Sequence, residues 1–168
     1  MIHVCSLAAL PATVAATGAS HILTVMGKVD QVIRPASVLH ENHLLISMDD
    51  INEPAEGFVA PSLDHVERAL AFIRKWDRAA PLVIHCYAGI SRSTASAFMA
   101  VCALNPARDE LSIAKQIRAA SPTAYPNRLI VQLADRALGR QGRMLRALDE
   151  IGPGNLMIEG RPFRVELE

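Results

Sequence analysis

The residues with the clearest capacity for chemistry are contiguous: His85-Cys86-Tyr87-Ala88-Gly89-Ile90-Ser91-Arg92-Ser93. Cys86 ends a short apolar run, Leu82-Val83-Ile84-His85, that has the pattern of a strand covered on both faces. A small-residue stretch from Ser93 to Leu104 follows and reads as a helix. A cysteine at such a strand-to-helix turn meets the aligned N–H groups of the turn and the positive end of the helix dipole, and both favour an anion. The same field favours the thiolate, which is the nucleophilic form. Arg92 adds a permanent charge on a planar fork suited to two oxygens of one oxyanion. Gly89 permits backbone conformations closed to other residues, so that the loop N–H groups can converge. The plainer alternative is a buried structural cysteine beside a surface arginine.

Such a loop needs a sheet to hold it. Ile2 to Leu7, His21 to Met26 and His43 to Met48 read as strands that precede Leu82 to His85, with an Ala-rich helix from Leu10 to Gly18 and a turn around Pro35 between them. Ser62 is a plausible N-cap for a helix to about Arg78, on which Val66, Ala69, Leu70 and Ile73 fall at i, i+3, i+4 and i+7. Helical patterns then cluster at Ser93 to Leu104, Leu111 to Ser121, Asn127 to Leu138 and Gln141 to Glu150. This order predicts an α/β fold, a central mostly parallel sheet flanked by helices with a helical C-terminal half. The 168 residues suit a single domain, 1–168, with residues 1–138 as its core. Residues 139–168 read as a C-terminal extension holding turn signals around a possible last strand.

HCYAGISRS resembles the H-C-x5-R-[ST] signature loop of cysteine-dependent protein tyrosine phosphatases, especially the small dual-specificity-like branch. The preceding His, the internal Gly, the following Ser and the strand-to-helix context make the match far more specific than a bare C-x5-R. The resemblance implies a phosphotyrosine-phosphatase-like fold and a phosphomonoester hydrolase. Cys86 would attack phosphorus and form a cysteinyl-phosphate, while the backbone from Tyr87, Ala88, Gly89, Ile90 and Ser91 and the Arg92 guanidinium hold the phosphoryl oxygens. Ser93 would hydrogen-bond the sulfur and ease its departure, and His85 would orient the loop. The leaving oxygen needs a proton, which the family takes from an upstream aspartate. MDDINEP matches that general-acid loop and favours Asp50, with Asp49 in reserve. Tyr125-Pro126-Asn127 through Gln132-Leu133 is similar to the PN-x5-QL stretch of the small members. Asn127 and Gln132 are therefore candidates to support the loop, although Asn127 also suits a helix cap.

Composition removes several other classes. With 17 basic and 17 acidic residues and 4% aromatics, the chain lacks both the charge and the stacking surface of a nucleic-acid binder. Three scattered cysteines, Cys5, Cys86 and Cys102, are no disulfide framework and have no zinc spacing. Leu7 to Ala19 has no preceding Lys or Arg and is interrupted by Pro11, so no signal peptide is expected; no apolar run is long enough for a membrane span. A soluble, cytoplasmic protein without cofactor or metal is the expectation. His40 and His43 lack a third ligand nearby. Cys5, at a strand end, is a candidate for an oxidative disulfide with Cys86. Acids crowd residues 41–67 and bases residues 115–146, a pattern that solvated helix faces also produce.

No lysine stands in the loop, whereas phosphoinositide-directed relatives often carry basic residues there. A phosphorylated protein or peptide, phosphotyrosine first and phosphoserine or phosphothreonine next, is therefore the expected partner. A phosphoinositide phosphatase and a catalytically weak phosphoresidue-binding module are the alternatives. A rhodanese-like or arsenate-reductase-like thiol enzyme fits His85, Ser93 and Asp50 less well.

Overall fold

The computed structural model describes residues 1–167. Strands β1 (Ile2–Cys5), β2 (His21–Met26), β3 (His43–Ser47), β4 (Leu82–His85) and β5 (Phe163–Val165) form one sheet in the order β3-β2-β4-β1-β5. All neighbours are parallel except β5, which runs antiparallel to β1. The helices are α1 (Leu10–Thr17), α2 (Leu63–Lys75), α3 (Arg92–Leu104), α4 (Glu110–Ala120), α5 (Arg128–Ala137) and α6 (Arg143–Ile151). The expected α/β architecture with a mostly parallel sheet and a helical C-terminal half is the one observed.

Side chains alternate across the strands and divide the core by face. Cys5, Ile22 and Val83 pack with Leu10 and Val14 of α1 on one side. Ile2, Val4, Leu23, Leu82 and Ile84 join the apolar faces of α2 to α6 on the other. β4 is buried at every residue because β1 and β2 flank it and both faces are covered. At its carboxyl end the chain leaves β1 for α1 on one face of the sheet and the adjacent β4 for α3 on the other. That is a topological switch point, where open α/β sheets form their ligand crevices.

Element ends differ from the expected ones for physical reasons. β1 stops at Cys5 rather than Leu7, because the Leu7 N–H turns away to the Tyr87 carbonyl at 3.0 Å. Ser62 does cap α2, accepting the His65 N–H at 3.3 Å, but α2 ends at Lys75. The buried Trp76 donates its indole N–H to the Ala80 carbonyl and folds the chain back through Arg78, which has φ 63°. α6 starts at Arg143 because Gln141 and Gly142 adopt positive φ; the Asp135 carboxylate accepts the Gly142 and Met144 N–H groups and caps it from α5.

Much of the basic stretch is solvated, since Lys115, Arg128, Arg136 and Arg146 are exposed, but part of it is structural. Arg140 and Arg143 both pair with the buried Glu110, and Arg118 donates to the carbonyls of Ala124, Ile151, Gly152 and Pro153. No helix of the described residues is long and apolar enough to cross a membrane.

Candidate active site

Cys86 lies just beyond the carboxyl end of β4, with its side chain buried. Its sulfur accepts the Gly89 N–H at 3.3 Å and stands 3.2 Å from the Ser93 hydroxyl. Gly89 has φ +72°, and a Cβ there would fall 2.8 Å from the backbone of Cys5 and Ser6, so only glycine lets the loop seat against the exit of β1. Ser91 precedes α3 without capping it, since its hydroxyl is engaged by Asp50. The first N–H groups of α3 therefore face the loop uncapped by a side chain.

The loop is shaped from outside. A trans peptide sets its C=O and N–H on opposite sides, so each carbonyl held outward aims the next N–H inward. The Cys86 carbonyl accepts from His85 Nδ1 at 3.2 Å, and the Tyr87 carbonyl from the Leu7 N–H at 3.0 Å. The Ala88 carbonyl accepts the Gly160 N–H at 2.9 Å, and the inward donor that follows is the Gly89 N–H on the sulfur. The Ile90 and Ser91 carbonyls accept from the Tyr125 and Asn127 N–H groups at 2.9 and 3.2 Å.

His85 is fully buried and bonded on both ring nitrogens. Burial pushes its pKa down to about 4, so the ring is neutral at physiological pH. The Cys86 carbonyl can only accept, which assigns the ring proton to Nδ1. Nε2 then accepts the Thr24 hydroxyl proton at 2.6 Å, and Thr24 Oγ1 accepts from His43 Nε2–H at 2.8 Å. His43, which burial also pushes down to about 4, thus stands in a relay behind the loop and not in a metal pair with His40.

Arg92 donates through Nη1 to the Met48 carbonyl at 2.9 Å, anchored by the residue that follows β3. Among the described residues its buried Nε meets no hydrogen-bond acceptor, and it lies 4.0 Å from Asp50 Oδ2. Asp50 Oδ1 accepts from the Ser91 hydroxyl at 2.7 Å and from Asn127 Nδ2 at 2.9 Å. Asp49 points elsewhere: its carboxylate accepts the Val59 N–H at 2.7 Å and packs against Gly27. Of the two candidate acids, Asp50 is the one at the loop.

Asn127 combines the two roles considered for it, since Oδ1 accepts the Ile130 N–H and caps α5 while Nδ2 reaches Asp50 and the Ile51 carbonyl. Gln132 does not take part; it is exposed on α5 and, among the described residues, makes no hydrogen bond to the loop. Asn52, which the sequence did not single out, accepts the Leu129 N–H at 3.1 Å and ties the acidic segment to α5. Cys5 belongs to the core on the α1 side of the sheet and Cys86 to the opposite core, and burial pushes the Cys5 thiol up to about 12. Cys5 is the register partner of His85, one residue from Cys86, and its raised pKa keeps the thiol protonated.

No protein-family model and no curated protein matches the sequence. Solved structures do match. DUSP15 superposes with a TM-score of 0.66 at 19% identity, covering 92% of this chain and 94% of that one. Human DUSP28 gives 0.61 at 20% identity over 83% of this chain and 89% of that one. The human tyrosine phosphatase-like serine/threonine/tyrosine-interacting protein gives 0.62 at 15% identity over 83% and 92%. The chain therefore has the fold of the protein tyrosine and dual-specificity phosphatases.

Proposed function

We propose that this protein hydrolyses phosphomonoesters, with phosphotyrosine in proteins as the leading substrate, through a cysteinyl-phosphate. The observation that carries the reading is the convergence on the Cys86 sulfur of the Gly89 N–H and the Ser93 hydroxyl, with Arg92 and Asp50 beside the same loop. In the first step the sulfur attacks phosphorus, an S–P bond forms and the P–O bond to the leaving group breaks, while Asp50 protonates the departing oxygen. The inward N–H groups and the Arg92 guanidinium, whose Nε makes no hydrogen bond among the described residues, stabilise the equatorial oxygens as charge builds on them. In the second step water attacks phosphorus, Asp50 takes its proton, and the S–P bond breaks with the Ser93 hydroxyl donating to the departing sulfur.

A cavity of about 430 Å³ opens beside the loop, bounded by Ser91, Asn52, Tyr125, Arg128 and Leu148. Its size accommodates a side chain flanking the phosphorylated residue of a peptide. Phosphate release from a phosphotyrosine peptide by the reduced protein is the test, with Cys86→Ser as control. Release that the substitution abolishes is the expected result. Tight peptide binding with no release by either protein would replace the enzyme with a binding module.

A further inference from the structure

We propose that the segment between α6 and β5, residues 152–160, is a positioning strap for the catalytic loop, acting through Gly160. The inference rests on the anion-binding reading of that loop. Gly160 donates its N–H to the Ala88 carbonyl at 2.9 Å, which aims the Gly89 N–H at the Cys86 sulfur. A Cβ on Gly160 would stand 2.9 Å from the Gly89 carbonyl oxygen and 3.3 Å from both Ile90 Cγ1 and Thr123 Oγ1. Among the described residues no donor meets the Gly89 carbonyl; its direction, and with it that of the Ile90 N–H, is set by the close fit of Gly160.

The strap is held along its length by its backbone. Arg118 grips the carbonyls of Ile151, Gly152 and Pro153 at its start. A Cβ on Gly154 would fall 2.5 Å from the Ala124 carbonyl, and the Asn155 N–H donates to the Pro122 carbonyl at 2.9 Å. At its end Glu159 accepts the hydroxyl of the buried Ser6, next to the β1 exit on which Gly89 rests. Between these anchors Leu156 and Ile158 are 97% and 96% exposed. Burial of apolar side chains therefore does not hold the segment down; its docking serves the placement of Gly160.

The test titrates the full-length reduced protein with inorganic phosphate, read from loop amide resonances, alongside turnover of p-nitrophenyl phosphate. Gly160→Ala should weaken phosphate binding and kcat/KM by about tenfold, with amide resonances outside the loop and strap unmoved. Glu159→Ala, which frees one anchor without adding bulk, should give a smaller loss of the same kind, and Ile158→Ala should change neither. Wild-type phosphate affinity in Gly160→Ala overturns the strap. Should that variant not fold, unchanged affinity in Glu159→Ala overturns it instead. Wild-type protein that binds no phosphate overturns the anion-pocket reading and the strap with it.

Discussion

Asp50 and Asp49 are adjacent in sequence, yet only Asp50 touches the loop, through Ser91 and Asn127, while Asp49 is bonded to the Val59 backbone. Asp50→Asn should therefore slow hydrolysis of phenyl phosphate by about a hundredfold and of p-nitrophenyl phosphate much less, because an activated phenolate needs little protonation. Asp49→Asn should leave that leaving-group dependence unchanged; a rate comparison across substituted phenyl phosphates decides between them. At Arg92 the geometry matters beyond charge, since Nη1 is engaged by the Met48 carbonyl while Nε remains for an oxyanion. Arg92→Lys keeps the charge but cannot do both, and should cost on the order of a hundredfold in kcat/KM. A lysine variant with near wild-type activity would refute the role.

Helix α5 shows how one side chain can serve an element and a site together. Asn127 caps the helix with Oδ1 and steadies Asp50 with Nδ2. Serine retains a capping oxygen but has no second arm to reach Asp50, so Asn127→Ser should hold stability within a few tenths of a kcal/mol while lowering turnover. Asn127→Ala should lose both, with about 1 kcal/mol of stability gone. Urea melts and steady-state rates on the two variants separate the functions; wild-type turnover in Asn127→Ser would show that the cap alone matters. The short tie from Asn52 to the Leu129 N–H makes the acidic segment an extension of α5.

For the whole molecule, the relay from the half-buried His43 through the buried Thr24 and His85 couples acidity to stability. Both rings are held neutral, with pKa values pushed down to about 4 chiefly by burial, whereas an unfolded chain titrates them near 6.5. Below about pH 6.5 the unfolded state binds protons that the folded state refuses, so the contribution is complete above that pH. It is lost as pH falls toward 4, at up to about 1.4 kcal/mol per pH unit for the fully buried His85 and less for the partly exposed His43, which solvent screens. Urea midpoints between pH 7 and 4 should fall accordingly, and His43→Gln should flatten the slope; an unchanged slope would remove His43 from the account.

What the sequence by itself determined is local. The run from Leu82 to Leu104, with its buried strand, glycine turn and small-residue helix, carries its own instructions in hydrophobic period, the freedom of Gly89 and helix propensity. Ser62 and Asn127 likewise announce their helix starts by type. What tertiary structure decided is which distant groups meet: Asp50 rather than Asp49, Asn127 with Asp50 across 77 positions, and Thr24 between two histidines. A one-residue step on a loop reverses where a carboxylate points, and no local periodicity records it. Gln132 stood out by motif but faces solvent on α5, whereas the tie of the acidic segment to that helix comes from Asn52, which no motif marked. Gly160 was hidden most completely. Its contribution to the loop is a backbone N–H, which nearly every residue possesses, and a missing Cβ whose value appears only where two distant stretches of chain touch.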